Sequence, residues 1–187
     1  MRRLFFKHLL IFLLSILIVE NAIATNTSKG TNALSSLTTG TFNTAIGYES
    51  LYTNTSGSNN TAVGSKSLKL NTTGYGNTAI GDEAMEGNTT GYNNTAVGKN
   101  SLQDNVTGYS NTAMGLFSMR FNTTGYENTA LGDMSLNSNT TGIKNTAIGQ
   151  DSMRSNTTGD YNTAIGHDSL VFNTTGESNV AVGKNSL

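Results

Sequence analysis

The pentapeptide Asn43-Thr44-Ala45-Ile46-Gly47 decides the fold, because close copies of it return every seventeen residues. The copies begin with asparagine at positions 43, 60, 77, 94, 111, 128, 145, 162 and 179, and no insertion or deletion interrupts the spacing. A fixed period of this kind is typical of solenoids, in which each repeat forms one coil, or rung, stacked on the previous one. The sequence therefore predicts an all-β parallel solenoid, a β-roll, of about nine rungs over residues 43–187.

Two apolar columns run through the repeat, with one residue of each column in every rung. The aliphatic column consists of Ile46, Val63, Ile80, Val97, Met114, Leu131, Ile148, Ile165 and Val182. The leucine/methionine column consists of Leu51, Leu68, Met85, Leu102, Met119, Leu136, Met153, Leu170 and Leu187. Neighbouring residues of a strand face opposite sides, so Ala45 and Ile46 cannot both point into the roll. We expect the aliphatic column to face outward.

An outward strip of nine aliphatic side chains is too large to leave in water. We therefore expect the chains to associate side by side, as a homotrimer whose seam or core is the aliphatic column. One rung buries few large apolar side chains relative to the cost of ordering seventeen residues. Self-association would supply the missing contacts.

Two glycine columns, Gly47 to Gly183 and Gly57 to Gly176, predict two bends per rung with positive φ, and two short strands between them. An asparagine heads each Asn-Thr-Thr-Gly segment or its variant: Asn54, Asn71, Asn88, Asn105, Asn122, Asn139, Asn156 and Asn173. Identical amides on stacked rungs form hydrogen-bonded ladders. The sequence thus predicts an asparagine ladder at the second bend.

The first 24 residues have the pattern of a secretory signal peptide. Arg2, Arg3 and Lys7 form a basic start, an apolar run covers 9–19, and cleavage is expected between Ala24 and Thr25. The alternative, an uncleaved anchor, would need an apolar run of about 20 residues. Residues 25–42 resemble a degenerate first rung or N-terminal cap, with a disordered arm as the alternative.

The remaining chain is weakly acidic. Removing Arg2, Arg3, Lys7 and Glu20 leaves 11 − 3 = 8 basic and 12 − 1 = 11 acidic residues, a net charge of −3. This balance, without a run of charge, argues against nucleic acid as a partner. The mature segment also offers no stretch of the length that a membrane span needs.

The repeat resembles the Asn-Ser-x-Ala-Ile-Gly rung of YadA-like trimeric autotransporter adhesin heads. It is still more similar to the longer-period Asn-Thr-Ala-x-Gly…Asn-Thr-Thr-Gly repeats of bacterial and viral surface and fibre proteins. The resemblance covers about residues 43–187. It implies a left-handed parallel β-roll, three chains packed around an axis, and attachment to a host or matrix surface through an unidentified ligand.

Nothing in the repeat has the pattern of a catalytic or metal site. His167 is the single histidine after the leader, and we interpret it as a solvated turn residue. The acidic residues are scattered and do not form the ladder of calcium-binding rolls, so calcium is not expected, with a weak site near Asp82-Glu83 as the alternative. Serines lack a recurring basic partner to activate them. We therefore expect a non-enzyme without a cofactor.

A second candidate surface is aromatic. Tyr75, Tyr92, Tyr109 and Tyr126 occupy the position after the second glycine in four consecutive rungs. The column is interpreted either as an edge stack that covers the roll or as a contact strip for sugar or protein. Asn-x-Ser/Thr acceptors also recur, and the same asparagines serve the predicted turn.

Three functions compete at this point. The first is an exported, adhesin-like structural module at the cell surface or outside the cell. The second is an ice-binding protein that uses the threonine column from Thr44 to Thr163, although ice-binding faces usually need two parallel threonine ranks. The third is a truncated remnant of a longer adhesin or fibre protein, since the sequence stops within a rung at Leu187.

Overall fold

The computed structural model describes residues 26–187, and this part of the chain contains ten strands and no helix. All ten strands pair in parallel in a single sheet, in the order of the sequence. The strands are β1 (Thr27–Lys29), β2 (Thr44–Ile46), β3 (Thr61–Val63), β4 (Thr78–Ile80), β5 (Thr95–Val97), β6 (Thr112–Met114), β7 (Thr129–Leu131), β8 (Thr146–Ile148), β9 (Thr163–Ile165) and β10 (Val180–Val182). The predicted parallel β-solenoid is confirmed.

Each rung contains one strand of three residues, so the prediction of two strands per rung is wrong. The remainder is a chain of turns, but its backbone still bonds to both neighbouring rungs. The N–H of Lys66 donates to the carbonyl of Tyr48 (2.7 Å), one rung back, and the N–H of Leu68 donates to the carbonyl of Ala84 (3.0 Å), one rung ahead. Lys66 and Leu68 have φ of 55° and 50°. Such left-handed residues are excluded from an ordinary strand.

Alanine and the leucine/methionine column form the core. Ala45 and Leu51 are fully buried, and the same positions are buried in the rungs that follow, except Leu187 in the last rung, which is 77% exposed. The aliphatic column points the other way: Ile80 is 41% exposed and Met114 44%. The structure therefore places the alanine of each strand inward and the aliphatic residue beside it outward, as strand geometry requires.

The predicted asparagine ladder is present beside this small core. Nδ2 of Asn71 donates to Oδ1 of Asn54 in the previous rung (2.8 Å) and to the carbonyl of Gly74 in its own rung (3.0 Å). The same pair of bonds recurs to Asn173. Asn71 is completely buried, and both amide hydrogens have acceptors, which a buried amide requires.

A second asparagine ladder, which the sequence analysis did not predict, starts each strand. The backbone N–H and Nδ2 of Asn77 both donate to Oδ1 of Asn60, at 3.0 and 3.2 Å. Nδ2 of Asn60 also donates to the carbonyl of Gly74 (2.8 Å). The carbonyl of Gly74 thus accepts from Asn60 and Asn71, and it joins the two ladders inside the rung.

The two glycine columns are required for different reasons. Gly64 has φ of 138°, a conformation that side chains rarely adopt. Gly74 does not have positive φ, so that prediction is wrong for the second column. A Cβ on Gly74 would instead collide with Oδ1 of Asn71 and the carbonyl of Gly91. The second column is glycine because its carbonyl groups must lie within hydrogen-bond distance of the ladder asparagines, and a side chain at this position would prevent that approach.

Residues 26–42 form a rung of the solenoid. Thr27 pairs with Thr44 in the β1–β2 register, and Nδ2 of Asn26 donates to the carbonyl of Gly40 (3.0 Å). Leu37 stands where later rungs have the asparagine of the second bend, so the predicted ladder begins at Asn54. The predicted signal segment, with Ala24 and Thr25, lies outside the described residues.

Replacement of Asn88 by alanine tests the ladders. The change leaves Oδ1 of Asn71 without its donor and Nδ2 of Asn105 without one acceptor. Since each buried orphan group costs about 1–3 kcal/mol, the free energy of unfolding should fall by about 2–6 kcal/mol in urea titrations. Thr90→Val, at an exposed position nearby, should change it by less than about 0.5 kcal/mol. Equal effects of the two substitutions would contradict a structural role for the ladder.

Candidate functional site

The outer face of the strands is a regular surface that runs through all ten strands. Each strand presents its threonine and its aliphatic residue on this face, and the in-register pairing aligns Thr61 with Thr78 and Val63 with Ile80. The strand face is defined as these two columns. At about 4.8 Å between rungs, ten strands extend for about 43 Å. The predicted seam residues lie along this face, with exposures that include 38% for Ile46 and 39% for Ile165.

The four tyrosines form a continuous stack. Successive ring centroids lie 5.0, 4.9 and 4.6 Å apart, and the rings are within 8° of parallel. Tyr92, Tyr109 and Tyr126 are half-buried, whereas Tyr75 is 48% exposed. Partial desolvation, together with Tyr126 and Tyr92, raises the pKa of the Tyr109 hydroxyl.

This stacking limits what the tyrosine strip can bind. Both faces of Tyr92 and Tyr109 are covered by neighbouring rings. The column neighbour of Tyr75 on its other side is Ser58, which has no ring. Among the described residues, Tyr75 and Tyr126 at the two ends of the stack each have one ring face without a stacked ring, so a sugar could stack only at these ends and meets ring edges and hydroxyl groups between them.

The Asp82-Glu83 pair, the alternative place for a weak calcium site, is paired with protein cations. Lys66 Nζ lies 2.9 Å from Oε1 of Glu83, and Lys99 Nζ lies 3.5 Å from Oδ2 of Asp82. Asn100 also donates to Oε2 of Glu83 (2.9 Å). Lys66 and Asn100 hold the pKa of Glu83 below its usual range. The stacking of rungs thus pairs these carboxylates with lysines instead of directing them to a common metal.

His167 has acidic neighbours that its sequence position did not reveal. Nδ1 of His167 is 2.8 Å from Oδ2 of Asp168, and Asp151 lies one rung before Asp168 in the same column. The three side chains bring one ligand atom each within 4.8 Å of one another. All three are half-exposed, and Nη1 of Arg154 lies 3.5 Å from Oδ1 of Asp151. The guanidinium already supplies positive charge to this cluster.

The sequence acceptors for glycans separate into two groups. Asn71 and its equivalents up to Asn156, in the ladder at the second bend, have buried side chains whose amide hydrogens are both bonded, as the turn interpretation predicts. Asn59 and Asn93, each followed by Asn-Thr, are exposed at the rung corner. In the folded rod, these two are the acceptors outside the asparagine ladders.

One cluster of side chains was not predicted from the sequence. Cζ of Arg120 lies 5.2 Å from the ring centroid of Phe117 and 4.9 Å from that of Phe121. All three residues belong to the rung that starts at Asn111, at positions that are mostly polar in other rungs. This departure from the polar residues of the other rungs was the feature of the sequence that could have indicated the cluster.

Comparisons with protein-family models, with curated proteins and with solved structures found no match. The resemblance to YadA-like heads therefore rests on the repeat itself, and the structure supports the β-roll that it implied. Among the described residues, no helix is long and apolar enough to cross a membrane.

The tyrosine stack should contribute to stability in proportion to the number of ring contacts. Tyr109 has two stacked neighbours and Tyr75 has one. At about 0.5–1.5 kcal/mol for each aromatic pair, Tyr109→Ala should lower the free energy of unfolding by about 1–3 kcal/mol and Tyr75→Ala by about half as much. Urea unfolding followed by circular dichroism measures both. A larger loss for Tyr75→Ala would argue against the stack as the stabilising feature.

Proposed function

We propose that this protein is an exported, non-enzymatic β-roll module of the cell surface or extracellular space. It resembles an adhesin head, and it attaches to a host or matrix ligand through the side of the rod. The strand face is the observation that carries the proposal. It is a continuous strip of threonine and aliphatic side chains, and contiguous apolar patches of a few hundred Å² on soluble proteins mark interaction sites.

The strand face is best matched by another copy of the same chain. Its threonine and aliphatic columns repeat with the rung spacing over all ten strands, apart from Lys29 in β1 and Val180 in β10. A partner with the same repeat can match such a surface at every rung. In a side-by-side homotrimer, the three strips meet around the axis, which is also the arrangement that the adhesin-head resemblance implies.

Attachment then falls to surfaces outside the trimer seam. Positions after each bend vary freely in sequence, while the buried asparagine, alanine and leucine/methionine columns hardly vary. The tyrosine stack belongs to these outward positions. A rigid rod with a repeated interior and variable sides supports a structural binding role, which requires no activated nucleophile or cofactor.

Substitution of Val97 by aspartate tests the seam. In a trimer the new carboxylate would face two copies of itself in an apolar contact, which costs several kcal/mol per chain. Analytical ultracentrifugation should show a trimer for the natural chain and dissociation for Val97→Asp. Circular dichroism on the same samples reports whether the separated chains keep the β-roll.

The matched control is Lys99→Gln in the same rung. Lys99 is exposed and makes one long ion pair with Asp82, so its loss should change assembly by less than about 0.5 kcal/mol. A natural chain that sediments as a folded monomer or dimer would refute the trimer. A trimer that persists in Val97→Asp would place the seam elsewhere.

Export is tested by the N-terminus of the protein recovered from the medium or the cell surface. Cleavage between Ala24 and Thr25 should give a mature protein that begins with threonine. Ala24→Asp should block processing, because signal cleavage requires small residues at this place. Surface protein that retains Met1 would contradict the cleaved leader.

Ice binding is the second candidate, and the regular threonine column favours it. Thr61, Thr78 and their equivalents repeat in register along the strand face. The residue two places along each strand, however, is aliphatic, and Oγ1 of Thr72 donates to the carbonyl of Thr89 (3.0 Å), so that the second threonine column is engaged in the fold. Thermal hysteresis of the purified protein would reverse this ranking.

A further inference from the structure

The rung of residues 111–127 departs from the pattern of the others on its outer side. Leu116, Phe117, Arg120 and Phe121 occupy positions where the preceding rung has Lys99, Asn100, Gln103 and Asp104. Leu116 and Phe121 are each 41% exposed. Four substitutions toward apolar, aromatic and arginine character in one rung form a local surface, whereas the same four positions carry at most two apolar or aromatic residues in any other rung, Leu70 and Phe172 among them.

The side chain of Arg120 is held in place by its neighbours. Its guanidinium carbon lies 5.2 Å from the Phe117 ring centroid and 4.9 Å from the Phe121 ring centroid. Its Nε donates to Oε1 of Gln103 in the previous rung (2.9 Å). These contacts fix a long side chain before any ligand arrives, and a preorganised group loses less entropy on binding.

Arg120 also lacks the acidic partner that other cations of the rod have. Within the described chain, five lysine or arginine side chains lie within 4.0 Å of a carboxylate, and the exceptions besides Arg120 are Lys29 and Lys184 in the first and last rungs. The pairs are Lys66 with Glu83, Lys69 with Glu49, Lys99 with Asp82, Lys144 with Glu127 and Arg154 with Asp151.

Gln103 separates Arg120 from the nearest acidic group. Nε2 of Gln103 donates to Oε2 of Glu83 (3.1 Å) and to Oε2 of Glu86 (3.3 Å), while its carbonyl oxygen accepts from Arg120. The two Nη groups of Arg120 have no acceptor among the described residues. A planar guanidinium with both ends open is suited to bind a carboxylate through two parallel hydrogen bonds.

We propose that Phe117, Arg120 and Phe121, here called the Phe-Arg-Phe patch, dock an extended peptide segment of a partner protein that carries a carboxylate beside apolar side chains. The proposal rests on the attachment role proposed above and gives it a location and a ligand chemistry. Arg120 would bind the carboxylate, and the exposed surfaces of Phe121 and Leu116 would contact the apolar side chains. Arginine and aromatic residues are the commonest anchors of protein interfaces.

A peptide fits this surface better than other classes of partner. Nucleic acid requires several cations along a backbone, whereas the patch has one. Arg120 covers one face of each phenylalanine, and a neutral sugar stacked on the other face would leave the Nη groups of Arg120 without an acidic partner. A carboxylate flanked by leucine or phenylalanine matches both the charge and the apolar surroundings.

The experiment is selection of phage-displayed random heptapeptides on the purified protein, followed by fluorescence polarisation with the synthetic peptides. Enriched peptides should contain aspartate or glutamate next to an apolar residue. Their affinity should fall at least tenfold with Arg120→Gln, with Phe121→Ser, and when the peptide acid is changed to its amide. Arg154→Gln is the matched control, since Arg154 occupies the same column and already pairs with Asp151; it should change affinity less than twofold.

Four results would contradict peptide binding at the Phe-Arg-Phe patch. These are a selection without enrichment, peptides without an acid, binding that Arg120→Gln leaves within twofold, and Arg120-dependent capture of acidic glycans on an array in place of peptides. Circular dichroism of each variant identifies a loss that is due to misfolding. Sedimentation and export of Arg120→Gln should match those of the natural chain. Failure of the natural chain to bind such peptides would then contradict the patch and leave the proposed trimeric surface module unaffected. A natural chain that is not exported or not trimeric would contradict the module, and these two measurements detect it without reference to the peptides.

Discussion

From residue 60 to residue 178, each rung depends on the hydrogen bonds that its two asparagines donate to the previous rung and to the glycine carbonyl of their own rung. The apolar core alone is small, because most rungs contribute one alanine and one leucine or methionine to it. Amides fill the remaining interior, and buried amides are tolerated when every donor and acceptor is engaged. That condition is met when identical side chains occur at identical positions in successive rungs.

This requirement explains why the period of seventeen is so strict. An inserted residue between Asn60 and Asn71 would displace one ladder relative to the other, and the carbonyl of Gly74 could no longer accept from both. The absence of proline has the same origin, since N–H groups in the turns as well as the strands donate between rungs. Repetition in this protein is thus a consequence of a polar interior.

The sequence predicted those features that follow from periodicity and strand alternation. The parallel solenoid, the Asn54 to Asn173 ladder and the outward aliphatic column needed nothing beyond the repeat and the alternation of strand faces. The second ladder was missed because Asn43 and its equivalents begin a strand, where asparagine is usually interpreted as a turn residue. The two-strand rung was wrong because residues such as Leu68 adopt left-handed φ, which no propensity of leucine indicates.

The candidate surfaces were less predictable, since they depend on contacts between rungs. The tyrosine column could be read from the sequence, but the covering of its ring faces could not. Asp151 lies far from His167 in the sequence and joins it only when the rungs stack. Arg120 is one of several scattered cations in the sequence, and it becomes distinct once the stacking shows which cations have acidic partners.

Two kinds of outer surface result from this architecture, and they suit different partners. A surface that repeats at every rung, such as the strand face, offers the same weak contact many times, so it matches a partner with the same spacing. A surface that occurs in one rung cannot gain from repetition and needs strong individual contacts. Arg120 between Phe117 and Phe121 is of that second kind, since a fixed guanidinium binds a carboxylate with directional, charge-assisted hydrogen bonds. The repeated face therefore fits the proposed assembly, and the Phe-Arg-Phe patch fits the proposed recognition of a partner.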